Sequence, residues 1–306
     1  MQPSQGPRLA AALLVAGALA VAGCGNEPQP SPEVAGSGDV GRTGAPSTNG
    51  APAPTTTEAP DGADTEAPLD AGAVRPAWLG TRPLPLGPDG YGEIQPTPPE
   101  LVDRRLPPPP DQLAQPAGDG FASRIEEVPP EVAARSTWDP ACPVGLGELR
   151  YLTVSFWGFD DRAHTGEMLV HAEVADDVVG VFERLHQARF PIEEMRITRA
   201  EELDLHPTGD GNNTGAFVCR PSRGTTSWSE HAYGRAVDIN PFHNPFVKGD
   251  LVLPELASAY VDRTAERPGM IVGDEAVTAA FAKIGWGWGG TWRSSKDYMH
   301  FSVTGR

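Results

Sequence analysis

The chain has 306 residues and a net charge of −17, with 41 Asp and Glu against 24 Lys and Arg. No basic stripe interrupts this acidity, which argues against nucleic acid as a partner. Of its 33 prolines, 22 lie before residue 120, so only the remainder has the composition of a packed domain.

Residues 1–23 carry Arg8, an apolar stretch over 9–22 and small residues leading to Cys24. That pattern predicts a secretory signal, too short for a comfortable membrane span. Val21, Ala22, Gly23 and Cys24 resemble a bacterial lipobox, which implies lipidation of Cys24 and attachment to the outer face of the cell membrane. The alternative is an ordinary cleaved signal and release toward the cell wall. Residues 24–73 are Pro, Ala, Gly, Thr and Ser with scattered acids. They cannot bury enough apolar surface to offset their ordering entropy and are predicted to form a disordered tether. About fifty such residues have a root-mean-square reach of roughly 40 Å.

Between 74 and 120, Trp78, Leu79, Leu84, Leu86, Tyr91, Ile94, Leu101, Val102 and Leu106 are spread among prolines, including four in a row at 107–110. Proline forbids most ladder bonding, so an extended strap lying over the following domain is expected, with continued disorder as the alternative.

Residues 121–306 are read as one folded domain. Strands are predicted at 149–156 and 166–174, with Asp160, Asp161 and Gly166 in the turn between them. Asp176 is positioned to cap a helix that stacks Val178, Phe182 and Leu185 on one face, and 195–198 is a third strand. Asp274 caps a second helix carrying Val277, Phe281 and Ile284, and Gly285 stops it. This succession describes an α+β domain, a mainly antiparallel sheet with flanking helices. Setting Cys24 aside leaves Cys142 and Cys219, an even pair that in an exported chain is expected to be a disulfide.

The chemistry is concentrated in two stretches. Residues 236–239 form a short apolar run, which predicts a buried strand bearing Asp238, and Gly234 allows a tight turn that brings His231 in from the loop before it. Residues 298–303 alternate as a strand, placing His300 and Phe301 on opposite faces, with Asp297 at its start. Two imidazoles and a carboxylate converging on one point are ligands that zinc accepts, with a fourth position left open.

Ser229, His231, Gly234, Ala236 and Asp238, followed by Asp297 and His300, resemble the signature of the zinc peptidases that include D-alanyl-D-alanine carboxypeptidases and dipeptidases of the VanY and VanX type and L-alanyl-D-glutamate endopeptidases. The resemblance covers roughly residues 140–306 and implies the hedgehog/DD-peptidase fold. It also implies zinc held by His231, Asp238 and His300, Asp297 as general base and Ser229 as a substrate contact. The dipeptidases carry Glu where this chain has Asp297, whereas the endopeptidases carry Asp. The carbonyl-polarising arginine of the related dipeptidases lies upstream of the first motif, which favours Arg220, beside Cys219, over Arg223 for that role.

Other candidates carry weaker signals. Trp286, Trp288 and Trp292 can line a cleft, with Trp288 as the chosen substrate contact, or enter the core at strand spacing. Trp228 and Tyr233 flank the first motif and are similarly ambiguous. Among His164, His171, His186, His206 and His243, only His243 is close enough in sequence to Asp238 to approach the site. The function implied is an exported zinc peptidase acting on peptidoglycan peptide stems, as a D,D-carboxypeptidase or an L-alanyl-D-glutamate endopeptidase. The alternative is a non-catalytic, zinc-containing, cell-wall-binding lipoprotein, against which Asp297 speaks, since a binding module needs no base beside its metal.

Overall fold

The structure, a computed structural model, describes residues 74–306 except 89, 90, 274 and 275. The signal, Cys24, the tether and the helix cap expected at Asp274 lie outside the described residues. Among the described residues, no helix is long and apolar enough to cross a membrane. The architecture is α+β with mostly antiparallel sheets: among the described residues, three of three strands each, and one parallel pair.

The longest ladder joins β2 (Leu149–Trp157) to β3 (Ala163–His171) in antiparallel register, from Leu149 opposite His171 to Trp157 opposite Ala163. A shorter strand, β1 (Ser123–Glu127), lies along the other edge of β2. Side chains alternate across this sheet with period two. Leu152, Val154, Phe156, Met168 and Val170 pack on one face against Val178, Val181, Phe182 and Leu185 of α2 (Ala175–Gln187). Leu149, Tyr151 and Leu169 pack on the other against Phe217, Val144 and Val132, the last from α1 (Pro130–Arg135). Both faces are covered, which is why β2 buries apolar side chains on both of them, from Leu149 and Tyr151 on one to Leu152, Val154 and Phe156 on the other.

Several boundaries depart from the sequence pattern. The turn sits at Asp160 and Asp161, and Gly166 lies inside β3 opposite Val154, where a Cβ would stand 2.4 Å from the sulfur of Met195. Residues 172–174 form a short 3-10 turn, so Val174 rather than Asp176 is the N-cap of α2. Asp176 is in the first turn, where its charge complements the helix dipole. The expected strand at 195–198 contracts to β4 (Glu194–Met195), paired in parallel with β5 (Asn213–Thr214). Helix α3 (Ala276–Lys283) buries Val277 and Phe281, with Ile284 packed half-buried beside them and Gly285 at positive φ after its end.

The site-bearing strands are short. β6 (Ala236–Asp238) pairs with β11 (His300–Ser302), which pairs in turn with β9 (Gly287–Trp288). The strand expected over 298–303 is shortened to β11, and Asp297, expected at its start, lies instead in β10 (Lys296–Asp297), which pairs with β7 (Phe246–Lys248), itself paired with β8 (Leu251–Leu253). Asp297 therefore belongs to a different sheet from His300.

Residues 74–110 are seated by apolar and ionic contacts together. Leu84, Leu101 and Leu106 are buried with Phe242, Leu256, Tyr260 and Met270. Arg104, only 2% exposed, grips the fully buried Glu193 through two bonds of 2.7 and 2.9 Å, and Arg75 adds a third at 2.9 Å. Asn212 donates to the same carboxylate at 2.7 Å, and Arg104 also donates to the Asp210 carbonyl at 2.7 Å. Burial opposes the charge of Glu193, but Arg104 and then Arg75 and His243 outweigh it and hold the carboxyl below its ordinary value of 4.5. Cys142 and Cys219 form a disulfide with Cα atoms 5.8 Å apart, joining the turn after α1 to the segment leading into the first motif.

Two outcomes follow from this packing. Arg104→Met leaves Glu193 buried beside a lost partner and is expected to lower stability by about 3–5 kcal/mol in urea denaturation at neutral pH. Because the folded carboxyl is depressed, this contribution is complete above its unfolded value of 4.5 and is lost as pH falls through the lower folded value. The gap between parent and variant should therefore close in acid; a constant gap would contradict the ionic assignment. For the disulfide, a loop closed over 77 residues corresponds to about 4–5 kcal/mol in the chain-entropy model. Replacing both cysteines by alanine is expected to lower the denaturation midpoint accordingly, and an unchanged midpoint would show that the bridge does not stabilise the fold.

Candidate metal centre

The local folding around the first motif is built to present one imidazole. Ser229 caps the short 3-10 turn Glu230–Tyr233, its hydroxyl accepting the His231 amide at 3.3 Å. Gly234 ends the turn at a φ of 66°, where a Cβ would lie 2.6 Å from the His171 nitrogen. Only glycine permits this left-handed residue to lie against the end of β3, where its carbonyl accepts the His171 amide at 2.8 Å. His231 then donates from Nδ1 to the Ala216 carbonyl at 2.6 Å, leaving Nε2 to face the site.

The register of β6 and β11 supplies the other two groups, since His300 stands directly opposite Asp238. His231 Nε2 is 3.2 Å from His300 Nδ1 and 3.3 Å from Asp238 Oδ2, and His300 Nδ1 is 3.1 Å from Asp238 Oδ1. Tetrahedral zinc ligands at ordinary bond lengths stand about 3.3–3.4 Å apart. Two imidazoles and a carboxylate at these separations therefore fit a single ion, and among the described residues they form a group able to hold one. The two imidazoles are 7–8% exposed and the Asp238 carboxylate 25%, so the cluster opens to solvent on the carboxylate's side. Burial works against both charges of the His300 and Asp238 pair. The two histidines nevertheless hold Asp238 far below the ordinary carboxylate range, while the Asp238 hydrogen bond and charge, with Asp297, push His300 up to about 9.

Asp297 is the neighbouring acid outside the ligand cluster. Gly289 makes room for it, because a Cβ there would lie 2.6 Å from the Asp297 carbonyl oxygen. Its Oδ1 is buried without a hydrogen-bond partner. Burial first, and the Asp238 charge second, push its carboxyl up to about 7 against the opposing pull of His300 and Arg220. The Arg220 guanidinium donates to the Pro221 carbonyl of its own loop at 3.2 Å. Arg223 is turned elsewhere, its guanidinium 3.9 Å over the Tyr91 ring and 4.0 Å from Glu255.

Other sequence candidates separate from the site. His243 is fully buried between the Arg104 carbonyl and Asn212, stacked on Phe159, and serves the seating of residues 74–110. Trp286 is core against Phe281. Trp288, expected at the substrate, instead packs toward the core: its ring stacks on Phe301 and its indole nitrogen donates to the Tyr298 carbonyl at 2.9 Å. The indole beside the cluster is Trp292, 5.8 Å from the His300 ring. Sequence reasoning did not find the main-chain oxygens that orient the imidazoles, of Ala216 for His231 and of Arg306 for His300. No side-chain identity announces a main-chain acceptor.

One zinc ion per chain is expected by metal analysis of the purified protein. At free zinc a thousandfold above the dissociation constant, binding should stabilise the fold by about 4 kcal/mol. His231→Ala and Asp238→Ala should abolish that increment while remaining folded, and an equal increment in both variants would refute the ligand set.

Residues 223–303 match the family model described as D-alanyl-D-alanine carboxypeptidase. No curated protein and no solved structure gave a match to the chain. The matched span holds the three clustered side chains and Asp297, so over these residues the chain is similar to the D-alanyl-D-alanine carboxypeptidase family that its motifs resemble.

Proposed function

We propose that the protein is a zinc peptidase that hydrolyses the peptide stems of peptidoglycan, either at D-alanyl-D-alanine ends or at L-alanyl-D-glutamate bonds. The observation that carries this reading is Asp297: a buried carboxylate oxygen without a partner, beside but outside a three-residue metal site. A binding module gains nothing from that arrangement, whose desolvation is costly.

His231, Asp238 and His300 are the residues that would hold the ion. Bound there, zinc supplies Lewis-acid polarisation of a carbonyl oxygen and makes water more acidic. Asp297, a carboxyl beside the metal site with an unpaired oxygen, is placed to take a proton from water and return it to the departing amine. Arg220 contributes a cation on the same side, suited to the negative charge that develops on the scissile carbonyl oxygen. Ser229 spends its hydroxyl oxygen on the His231 amide, and its proton is left for an acceptor on the substrate. Trp292, rather than Trp288, is the ring assigned to the cleft.

The same proposal includes the hedgehog/DD-peptidase fold for residues 121–306, export directed by residues 1–23, a lipid anchor at Cys24, and a tether over 24–73 that lets the domain reach the wall. Its support is the motif match and the apolar leader ending in a cysteine.

The decisive experiment follows digestion of purified muropeptides by mass spectrometry, comparing the parent with Asp297→Asn. The variant should keep its fold and zinc while turnover drops by about 10²–10⁴-fold, the usual contribution of a general base. Product masses identify the bond. A zinc-loaded parent that cleaves no muropeptide, or an Asp297→Asn variant as active as the parent, would reject this mechanism in favour of a wall-binding role.

A further inference from the structure

Each imidazole of the cluster uses its second ring nitrogen on a main-chain oxygen, and the oxygen that serves His300 comes from the segment that follows β11. After β11 the chain turns back on itself. Val303 donates its amide to the Arg235 carbonyl at 3.1 Å, and Gly305 donates to the Ser302 carbonyl at 3.2 Å. The indole nitrogen of Trp292 donates to the Gly305 carbonyl at 2.7 Å. The fully buried Ser302 hydroxyl brackets residue 306, accepting its amide at 3.0 Å and donating to its main-chain oxygen at 2.9 Å. That oxygen lies 3.0 Å from His300 Nε2.

A neutral imidazole has one N–H and one lone pair. With the N–H given to Arg306, the lone pair is on Nδ1, the nitrogen that faces His231 at 3.2 Å and Asp238 at 3.1 Å. We propose that the main-chain oxygen of Arg306 is the positioning group for His300, selecting the tautomer and ring orientation that bind metal, so that residues 303–306 set the affinity of the centre. This inference rests on reading His231, Asp238 and His300 as a zinc site. Outer partners of metal-bound histidines typically govern affinity by about 10- to 100-fold, and here the partner is a main-chain atom that no side-chain substitution removes.

The test uses the full chain and zinc ion alone, with affinity measured by competition against a chromophoric chelator at neutral pH. Three proteins are compared: the parent, a variant ending at Thr304, and R306A, which removes the side chain but keeps the main-chain oxygen. The shortened chain should bind zinc about 10- to 100-fold more weakly, and R306A should match the parent within about twofold, as expected for a side chain with no part in the contact. The inference is overturned by a folded shortened chain that binds as the parent does, or by R306A losing as much as the truncation. Should the shortened chain not fold, nitrogen NMR of the zinc-loaded parent decides: a proton on His300 Nε2 supports the assignment, and a proton on Nδ1 overturns it. A parent that binds no zinc removes the metal reading itself, an outcome distinct from either of these.

Discussion

The pairing of His300 opposite Asp238 in the β6–β11 ladder is the constraint on which the rest of the site depends. Strand side chains alternate, so a slip of one residue would turn His300 into the core and Phe301 into the site. Packing resists that slip. Phe301 is fully buried and stacks on Phe281 with ring centres 4.0 Å apart, and the same strand pairs on its other side with Trp288. The hydrophobic core beneath β11 therefore sets the position of the histidine above it. His231 arrives from a separate turn whose end, Gly234, is bonded to the last residue of β3. Two paired strands and the turn that leads into one of them thus agree on one point, with residues 303–306 supporting it from behind.

The two carboxylates near that point have been given opposite environments. Asp238 lies between two imidazoles and is held firmly ionised, whereas Asp297 is buried beside that same negative charge and is pushed toward neutrality. Environments that separate the behaviour of like groups are what the proposed division into a ligand and a proton carrier would require. The division depends on tertiary structure: Asp297 is fixed through β10 to β7, and so lies close to the cluster without entering its sheet.

Residues 74–110 are bound into the same domain by charge as well as by apolar contact. Arg104 and Arg75 close on Glu193, which immediately precedes β4, and β4 pairs with β5. Gly215, next after β5, exchanges both main-chain hydrogen bonds with Asp238. A continuous run of main-chain pairing therefore leads from the buried Arg–Glu contact to a site carboxylate. Removing this proline-rich segment would take both arginines from Glu193 and leave its charge with the neutral Asn212 alone, so the segment is held by more than loose wrapping.

Much of the site was legible in the residues themselves. His231, Gly234, Asp238, Asp297 and His300 are chemically specific types at close spacing, and the need for glycine in the turn is a local backbone property. The helix face of Val178, Phe182 and Leu185 was legible for the same reason, as was the pairing of Cys142 with Cys219. Boundaries were less so. The stretch 298–303 alternates like one strand, but its first residues pair with neither β6 nor β9, and only the partners available on each side reveal the break at Tyr298 and Met299. Trp288 shows the same limit: an indole two residues from a core tryptophan can face a cleft or a core, and the stack on Phe301 decides it. The sequence by itself determined which side chains have the chemistry for a metal and a base, because that is a property of residue type and short-range spacing. Only the tertiary structure decided which of them meet, which carboxylate stays ionised, and that the oxygen of Arg306 stands behind His300, because distance, burial and main-chain contacts between remote segments exist only once the chain has folded.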